Sequence, residues 1–521
     1  MIVCLVIVVL LGGVLRTATA GGSLWLDELH TAWTVQGEWQ ELPPRAAIGN
    51  QSPAFFAVVK ASTELGGMNE WTLRLPSLLA GVGLIVAAWQ AVRKWTGDEA
   101  AAVVAAFAVA LDPWCVLFSA EARAYALVQL LGLIHLLLFS ELLTEATWPR
   151  RIVWVVGGGL LFYLHYTAAL LIAAELVAYV VLVATRRAPG YVWWLALMDF
   201  SATGLLWLLA REHVAEIAAN REAWNLFVPP ASLAGFFELF PLYAGVVGFA
   251  ILLAAGQALR PAHAEQPAEP DAPAHDFPTA WILVGCWLFV PLVIALVATL
   301  SDEARLLFLR YMSPALVAIP LAAGLAIAAQ REVWGKWLAG VLVVAALFAL
   351  PARWPIESTP IVSLMDGHGW IGQGGQDWRG ALQFIHERKK QDGEQFPPDR
   401  WAIAVRSGYI EADRLAAEPQ NELLKSYCLS PVNSLYHVET AGRTFIPLAT
   451  SNLGPLDEFA LRALQYRGKA WLLLNGNEEV ADEYLRLLDK GLRPHGSRVL
   501  GAVKHIFPGV VVCEVSISKG P

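Results

Sequence analysis

The sequence predicts a mainly α, polytopic membrane protein of about eleven transmembrane helices, followed by a soluble α/β domain. Three observations carry that class. Hydrophobic residues make up 56% of the 521-residue chain and charged residues only 16%, against about 25% charged in soluble domains. Apolar runs long enough for membrane helices recur from residue 1 to Pro351 and stop there. Many of the 22 tryptophans stand near the ends of those runs, where aromatic belts form at the two interfaces. The formal charge of -8 says little, because charge beside the membrane matters more than the sum. No nucleic-acid partner is expected.

The first run, 1–20, is barely long enough to span. Ala18-Thr19-Ala20 has the small-residue pattern of a signal-peptidase site, but no positive charge precedes the run, which favours an uncleaved helix. Residues 21–72 form a long polar loop. Within it, 54–65 is a short amphipathic piece that suits either an interfacial helix or a buried helix of the same loop. Further runs lie at about 75–92, 100–118, 124–143, 152–170, 171–185, 191–210, 233–259, 279–300, 311–329 and 335–351. The stretch 152–185 is nearly continuous and accommodates two short helices around a turn at His165.

Arg93-Lys94, Arg150-Arg151, Arg186-Arg187, Arg260, and Arg331 with Lys336 fall on alternate connections. The positive-inside rule makes that side cytoplasmic. The protein is then expected in the cytoplasmic (inner) membrane, with its N-terminus inside and its C-terminal domain extracytoplasmic. Residues 261–278 read as a Pro/Ala-rich acidic linker. The sequence thus divides into a membrane domain, 1–351, carrying the first outer loop 21–72, and a soluble domain, 352–521. In the soluble domain, 401–405, 470–474 and 510–515 read as buried strands, the last at a sheet edge, and 377–391 and 477–490 have helical spacing. Cys4, Cys115 and Cys286 read as packing residues. Cys428 and Cys513 could pair in an oxidising compartment, a point the sequence leaves open.

The candidate site follows from this topology. Ser23-Leu24-Trp25-Leu26-Asp27-Glu28-Leu29-His30 puts two adjacent carboxylates at the membrane edge, where ionisable groups are costly to hold. The same outer side collects Asp112, Glu121-Ala122-Arg123, His165-Tyr166, Arg211-Glu212-His213, Asp302-Glu303-Ala304-Arg305 and Arg310-Tyr311. The cytoplasmic edges hold mostly basic topology residues. Short outer loops need polar residues anyway, and an acid beside an arginine can be a purely structural pair; the one-sided gathering is the signal.

These motifs resemble, in order and spacing, the GT-C membrane glycosyltransferases, and within them the protein O-mannosyltransferase and aminoarabinose-transferase type. The resemblance rests on Leu24-Trp25-Leu26-Asp27-Glu28 after the first span, Ser52-Pro53 with Phe55-Phe56, and Leu73-Arg74-Leu75-Pro76-Ser77. It continues through Asp112-Pro113, Ser119-Ala120-Glu121-Ala122-Arg123-Ala124-Tyr125, His165-Tyr166-Thr167, Arg310-Tyr311-Met312-Ser313-Pro314 and Asp377-Trp378-Arg379-Gly380-Ala381. It covers about residues 1–390, and Gln51 stands where a His is frequent.

The resemblance implies a sugar donor linked to polyprenyl phosphate and transfer with inversion to an unidentified acceptor, by a hexosyl- or pentosyltransferase in the lipid bilayer. The attacking hydroxyl or amine must lose a proton, for which a carboxylate is the natural base. The leaving phosphate needs arginines rather than an acid. Asp27 is therefore the expected base, with Glu28 beside it. Arg310 and Arg123 are candidates for the lipid phosphate, and Glu121, His165 and Tyr311 for substrate binding. Arg74 reads as structural. Asp27, Glu28, His30, Glu121 and His165 are possible metal ligands, but no spacing has a metal signature; the resemblance implies enzymes that work without an essential metal, so neither metal nor cofactor is expected. The alternatives are a lipid or polysaccharide transporter, which would favour midplane charges and internal repeats, and a non-catalytic binding protein.

Overall fold

The computed structural model describes residues 1–18, 20–212, 214–215, 228, 230–258, 277–351, 376–392, 401–437, 444–449 and 469–518. His213, the linker 261–276 and residues 352–375 lie outside the described residues. The chain forms two compact units, Met1–Ala20 with Arg74–Gly372, and Gly21–Leu73 with Gln373–Pro521.

The first unit is built of apolar helices, and each apolar run of the sequence falls on helix. Among the described residues, five helical stretches have the length and hydropathy to cross a membrane: Glu70–Thr96, Tyr125–Thr144, Tyr166–Ala184, Phe277–Leu300 and Leu309–Ala328. Glu99–Leu111 and Pro113–Ser119 form a pair bent by 57°. Shorter apolar helices are Ile2–Thr17, Trp193–Leu208, Tyr243–Ala258 and Val333–Ala349. The bend has a local cause. Pro113 has no N–H to donate and pushes Asp112 out of helical geometry (φ -58°, ψ 124°). Asp112 then caps the new helix, accepting the Cys115 N–H at 2.8 Å. The division within 152–185 falls at His165, between the helices Trp148–Leu164 and Ala169–Ala184.

Small residues let these helices approach closely, as expected where lipid removes the hydrophobic drive between them. A Cβ on Gly324 would lie 2.9 Å from Ala105 Cβ and 3.0 Å from Ala101 O. Polar groups within the bundle are satisfied in place. Arg151 makes two 2.8 Å bonds to Asp199, which also accepts from Tyr191 at 2.8 Å. His135 and the Trp154 indole both engage Glu175, at 2.9 and 3.0 Å.

The second unit carries a five-stranded sheet: β1 (Trp401–Arg406), β2 (Thr444–Pro447), β3 (Lys469–Asn475), β4 (Val499–Phe507) and β5 (Val510–Ile517), in the order β2-β1-β3-β5-β4. β1 runs parallel to β2 and β3, and β5 antiparallel to β3 and β4. The expected edge position of 510–515 is wrong. β5 is interior, its Val510, Val511, Val512 and Cys513 all buried, the continuous apolar run of a doubly covered strand. The edges are β2 and β4, and the sequence hides β4 because Gly501, Lys504 and His505 interrupt its pattern. Pro508-Gly509 joins the two strands, and Gly509 takes the left-handed φ of +59° that the tight turn needs. Cys428 and Cys513 are both buried free thiols.

The loop 21–72, counted with the membrane part in the sequence, packs here with C-terminal residues. Its helix Pro53–Gly66 starts on Pro53 after the cap Ser52. It turns Phe55, Phe56 and Val59 inward and leaves Val58 and Leu65 exposed. Buried Lys60 donates to the carbonyls of Val35 and Gly37, at 3.3 and 2.7 Å. It thereby closes the C-terminal end of the helix Leu26–Gln36, as a cation suits that end of the dipole.

Candidate functional site

The acidic pair opens the helix Leu26–Gln36. Acids suit a helix N-terminus, where four N–H groups lack intrahelical partners. The two carboxylates differ in what they do. Glu28 is fully buried, and its Oε2 accepts the Trp25 N–H at 3.3 Å, half of a capping box. Asp27 is half-buried and lies within electrostatic reach of Tyr409, Glu411 and Tyr427. The backbone around it is held by residues far away in sequence. Leu24 N–H donates to the Tyr436 hydroxyl at 2.7 Å and Leu26 N–H to Gln376 Oε1 at 2.8 Å. Tyr409 donates to Leu26 O at 2.7 Å. Gln376 also accepts from the Trp378 indole at 3.0 Å and donates to Asn475, at the end of β3, at 2.9 Å. Arg379 meets Glu70 Oε1 at 3.0 Å and Gly21 O at 3.1 Å. His30 is a core ring, 5.3 Å from Phe56 and 5.0 Å from Tyr427.

In the other unit the structure gathers Arg123, His165 and Tyr311. Tyr125, on the first turn after the loop 120–124, lies 5.3 Å from the His165 ring, and His165 lies 5.9 Å from Tyr311. Arg123 is buried and within electrostatic reach of His165. Its carbonyl accepts from Ser77 Oγ at 2.9 Å. Glu121 is buried on the same loop, where its carbonyl accepts the Arg123 N–H at 2.8 Å. Arg310 precedes Tyr311 at the start of the helix Leu309–Leu316, with its guanidinium 5.6 Å from the Phe308 ring centre. Gln129 and Ser313 join that helix to Tyr125–Thr144 at 3.4 Å. His165 Nδ1 and Thr167 Oγ1 are 2.7 Å apart, which orients the imidazole. Buried Arg123 beside His165, and half-buried Arg310 against an aromatic ring, are cations of the kind that can stabilise a growing negative charge.

Other polar residues that the sequence assigns to the outer edge have structural bonds. Asp112 accepts from the Tyr243 hydroxyl at 2.6 Å besides its cap. Arg74 donates to Ala20 O at 2.7 Å. Arg305 reaches Val228 O at 3.0 Å and Asp302 at 3.6 Å. Sequence reasoning missed Gln376, Tyr409, Glu411, Tyr427 and Tyr436. Only Gln376 had a nearby signal, since it precedes the segment Asp377–Ala381.

Residues 50–207 match the family model described as dolichyl-phosphate-mannose-protein mannosyltransferase. No curated protein matches the sequence. Among solved structures, ArnT from Cupriavidus metallidurans, bound to undecaprenyl phosphate, aligns with 100% of this chain and 99% of its own, at 15% identity and a TM-score of 0.50. The same protein in the apo state aligns over the same shares at 16% identity and a TM-score of 0.50. The Archaeoglobus fulgidus oligosaccharyltransferase, in complex with Zn and sulfate, aligns with 96% of this chain and 72% of its own, at 14% identity and a TM-score of 0.50. The chain thus shares the fold of the solved ArnT and oligosaccharyltransferase structures, and its residues 50–207 are similar to the mannosyltransferase family.

Proposed function

We propose that the chain is an inverting glycosyltransferase that moves a sugar from a polyprenyl-phosphate donor to an acceptor on the outer face of the cytoplasmic membrane. The observation that carries this reading is the gathering of Arg123, His165 and Tyr311, with Glu121 and Arg310 on the same elements. The likeness to an ArnT that holds undecaprenyl phosphate supports the donor class. Arg310 and Arg123 take the charge that grows on the phosphate oxygen as the bond to the anomeric carbon breaks. Asp27 takes the proton of the attacking hydroxyl or amine, and Glu28 holds the helix start that carries it. Glu121 and His165 contact the sugar or the acceptor. Assigning the acid and the arginines to one reaction is part of this proposal.

The proposal includes eleven spans, with the loop 21–72 and the C-terminal residues outside. A reporter fused after Pro521 that is active only in the cytoplasm would overturn that orientation. The function is tested with the purified chain in proteoliposomes containing radiolabelled undecaprenyl-phosphate sugars and a membrane extract as acceptor source. Transfer of label that needs the protein supports the reading. No transfer from any hexose or pentose donor, with tight binding of the lipid retained, would favour a binding protein instead.

A further inference from the structure

The residue that stands out beyond this reading is Glu411. It is a buried carboxyl, 4% exposed, in the first turn of the 3-10 helix Ile410–Ala416 that follows β1. Its Oε2 accepts from the Tyr427 hydroxyl at 3.4 Å, and its Oε1 meets no donor from another side chain among the described residues. Arg414, whose charge reaches Glu411, is engaged with Glu418 at 2.8 Å. The Tyr427 ring stacks on Tyr409 at 4.2 Å, and the Tyr409 hydroxyl closes on Leu26 O, with Ser430 Oγ 2.9 Å away. Tyr427 also sets its edge against His30 at 5.0 Å and Trp33 at 5.5 Å, both on the acidic helix.

We infer that Glu411 is the positioning residue for Asp27, its carboxyl supporting the Tyr427–Tyr409 stack on which the first turn of the acidic helix rests. The inference adds to the proposed transfer and rests on that reading only for Asp27 being the base. The groups facing Glu411 are Tyr427, Asp27 and Arg414, while Tyr409 and Cys428 feel its charge. Burial is the first cause that drives its pKa up to about 7, and the Asp27 charge adds to it. A raised carboxyl binds its proton more tightly folded than unfolded. Its support is therefore complete below the ordinary carboxyl value of 4.5 and is lost as pH rises towards about 7. Ionisation then puts a second negative charge in the dry space beside Asp27 and loosens the stack.

Hydrogen exchange on the full chain in nanodiscs tests this without any donor or acceptor. After correction for intrinsic exchange, protection of residues 24–33 should fall roughly tenfold across about pH 7, while that of 125–144 stays constant. E411Q should hold it flat. D27N should move the midpoint down, because the Asp27 charge raises it. Y427F should move it up, because the phenol bond favours the ionised form. A fall that persists in E411Q, or midpoints that ignore both D27N and Y427F, would overturn the inference. If E411Q does not fold, the opposite shifts in D27N and Y427F still decide it. With a donor in hand, E411Q should flatten the pH profile of kcat and leave KM for the lipid unchanged. A failed transfer assay with intact exchange results removes the role of Asp27 as base, not its coupling to Glu411.

Discussion

The acidic and the basic clusters are held by different means. Around Asp27, backbone N–H and C=O groups bond to side chains some hundreds of residues away, from Gln376, Tyr409 and Tyr436. Around Arg123, His165 and Arg310, position comes from helix ends and ring contacts inside one bundle. A base must point its oxygen to within hydrogen-bond reach of one proton. A phosphate has several oxygens and tolerates more angles, so charge placed near it suffices. The proposed roles fit this contrast, since the first cluster is built on directional bonds and the second on charge among packed rings.

The largest effect expected from breaking this contrast is Asp27→Asn. The amide is nearly isosteric but cannot take the proton at neutral pH, so transfer should fall by about 100- to 10,000-fold. Donor binding should survive, measured in parallel with labelled undecaprenyl phosphate. Near-normal transfer in this variant would move the base elsewhere. Arg310→Ala should act on the other side of the contrast, weakening lipid-phosphate binding by about 1.5–3 kcal/mol, roughly 10- to 100-fold, with turnover falling too. Unchanged binding would remove Arg310 from the phosphate site.

Gln376→Leu strikes the directional bonds. It leaves the Leu26 and Trp378 N–H groups and Asn475 without this partner, at about 1–3 kcal/mol. Limited proteolysis should open the region around residue 26 before the helix Tyr125–Thr144; equal resistance to the parent would show that the bonds do not hold the acid. The smallest effect expected is Glu28→Gln. An amide oxygen still accepts the Trp25 N–H, and only the charge facing the helix dipole is lost, about 0.3–1 kcal/mol. A loss of transfer as deep as that of Asp27→Asn would mean that Glu28 acts in the chemistry.

The sequence by itself determined the mainly helical class and the apolar helices, and it pointed to residues that the bundle brings near one another. Long apolar runs bury themselves through the backbone bonds of their own helices, so their pattern is local. Arg123, His165 and Tyr311 were legible because each stands at the end of such a run. The acidic pair was legible as a motif, and all three strands read from the sequence lie as interior strands, β5 included although it was expected at an edge. Tertiary structure alone decided the rest. It gave Glu28 to the cap and left Asp27 half-buried, a choice that adjacent acids in a sequence do not reveal. It also brought Gln376, Tyr409, Tyr427 and Glu411 to the start of the acidic helix. Those residues lie in polar stretches without period, and their bonds close over some 350 to 400 residues of chain. No local propensity encodes such a closure. It is fixed only when the sheet and the loop fold together and every buried N–H and C=O finds a partner.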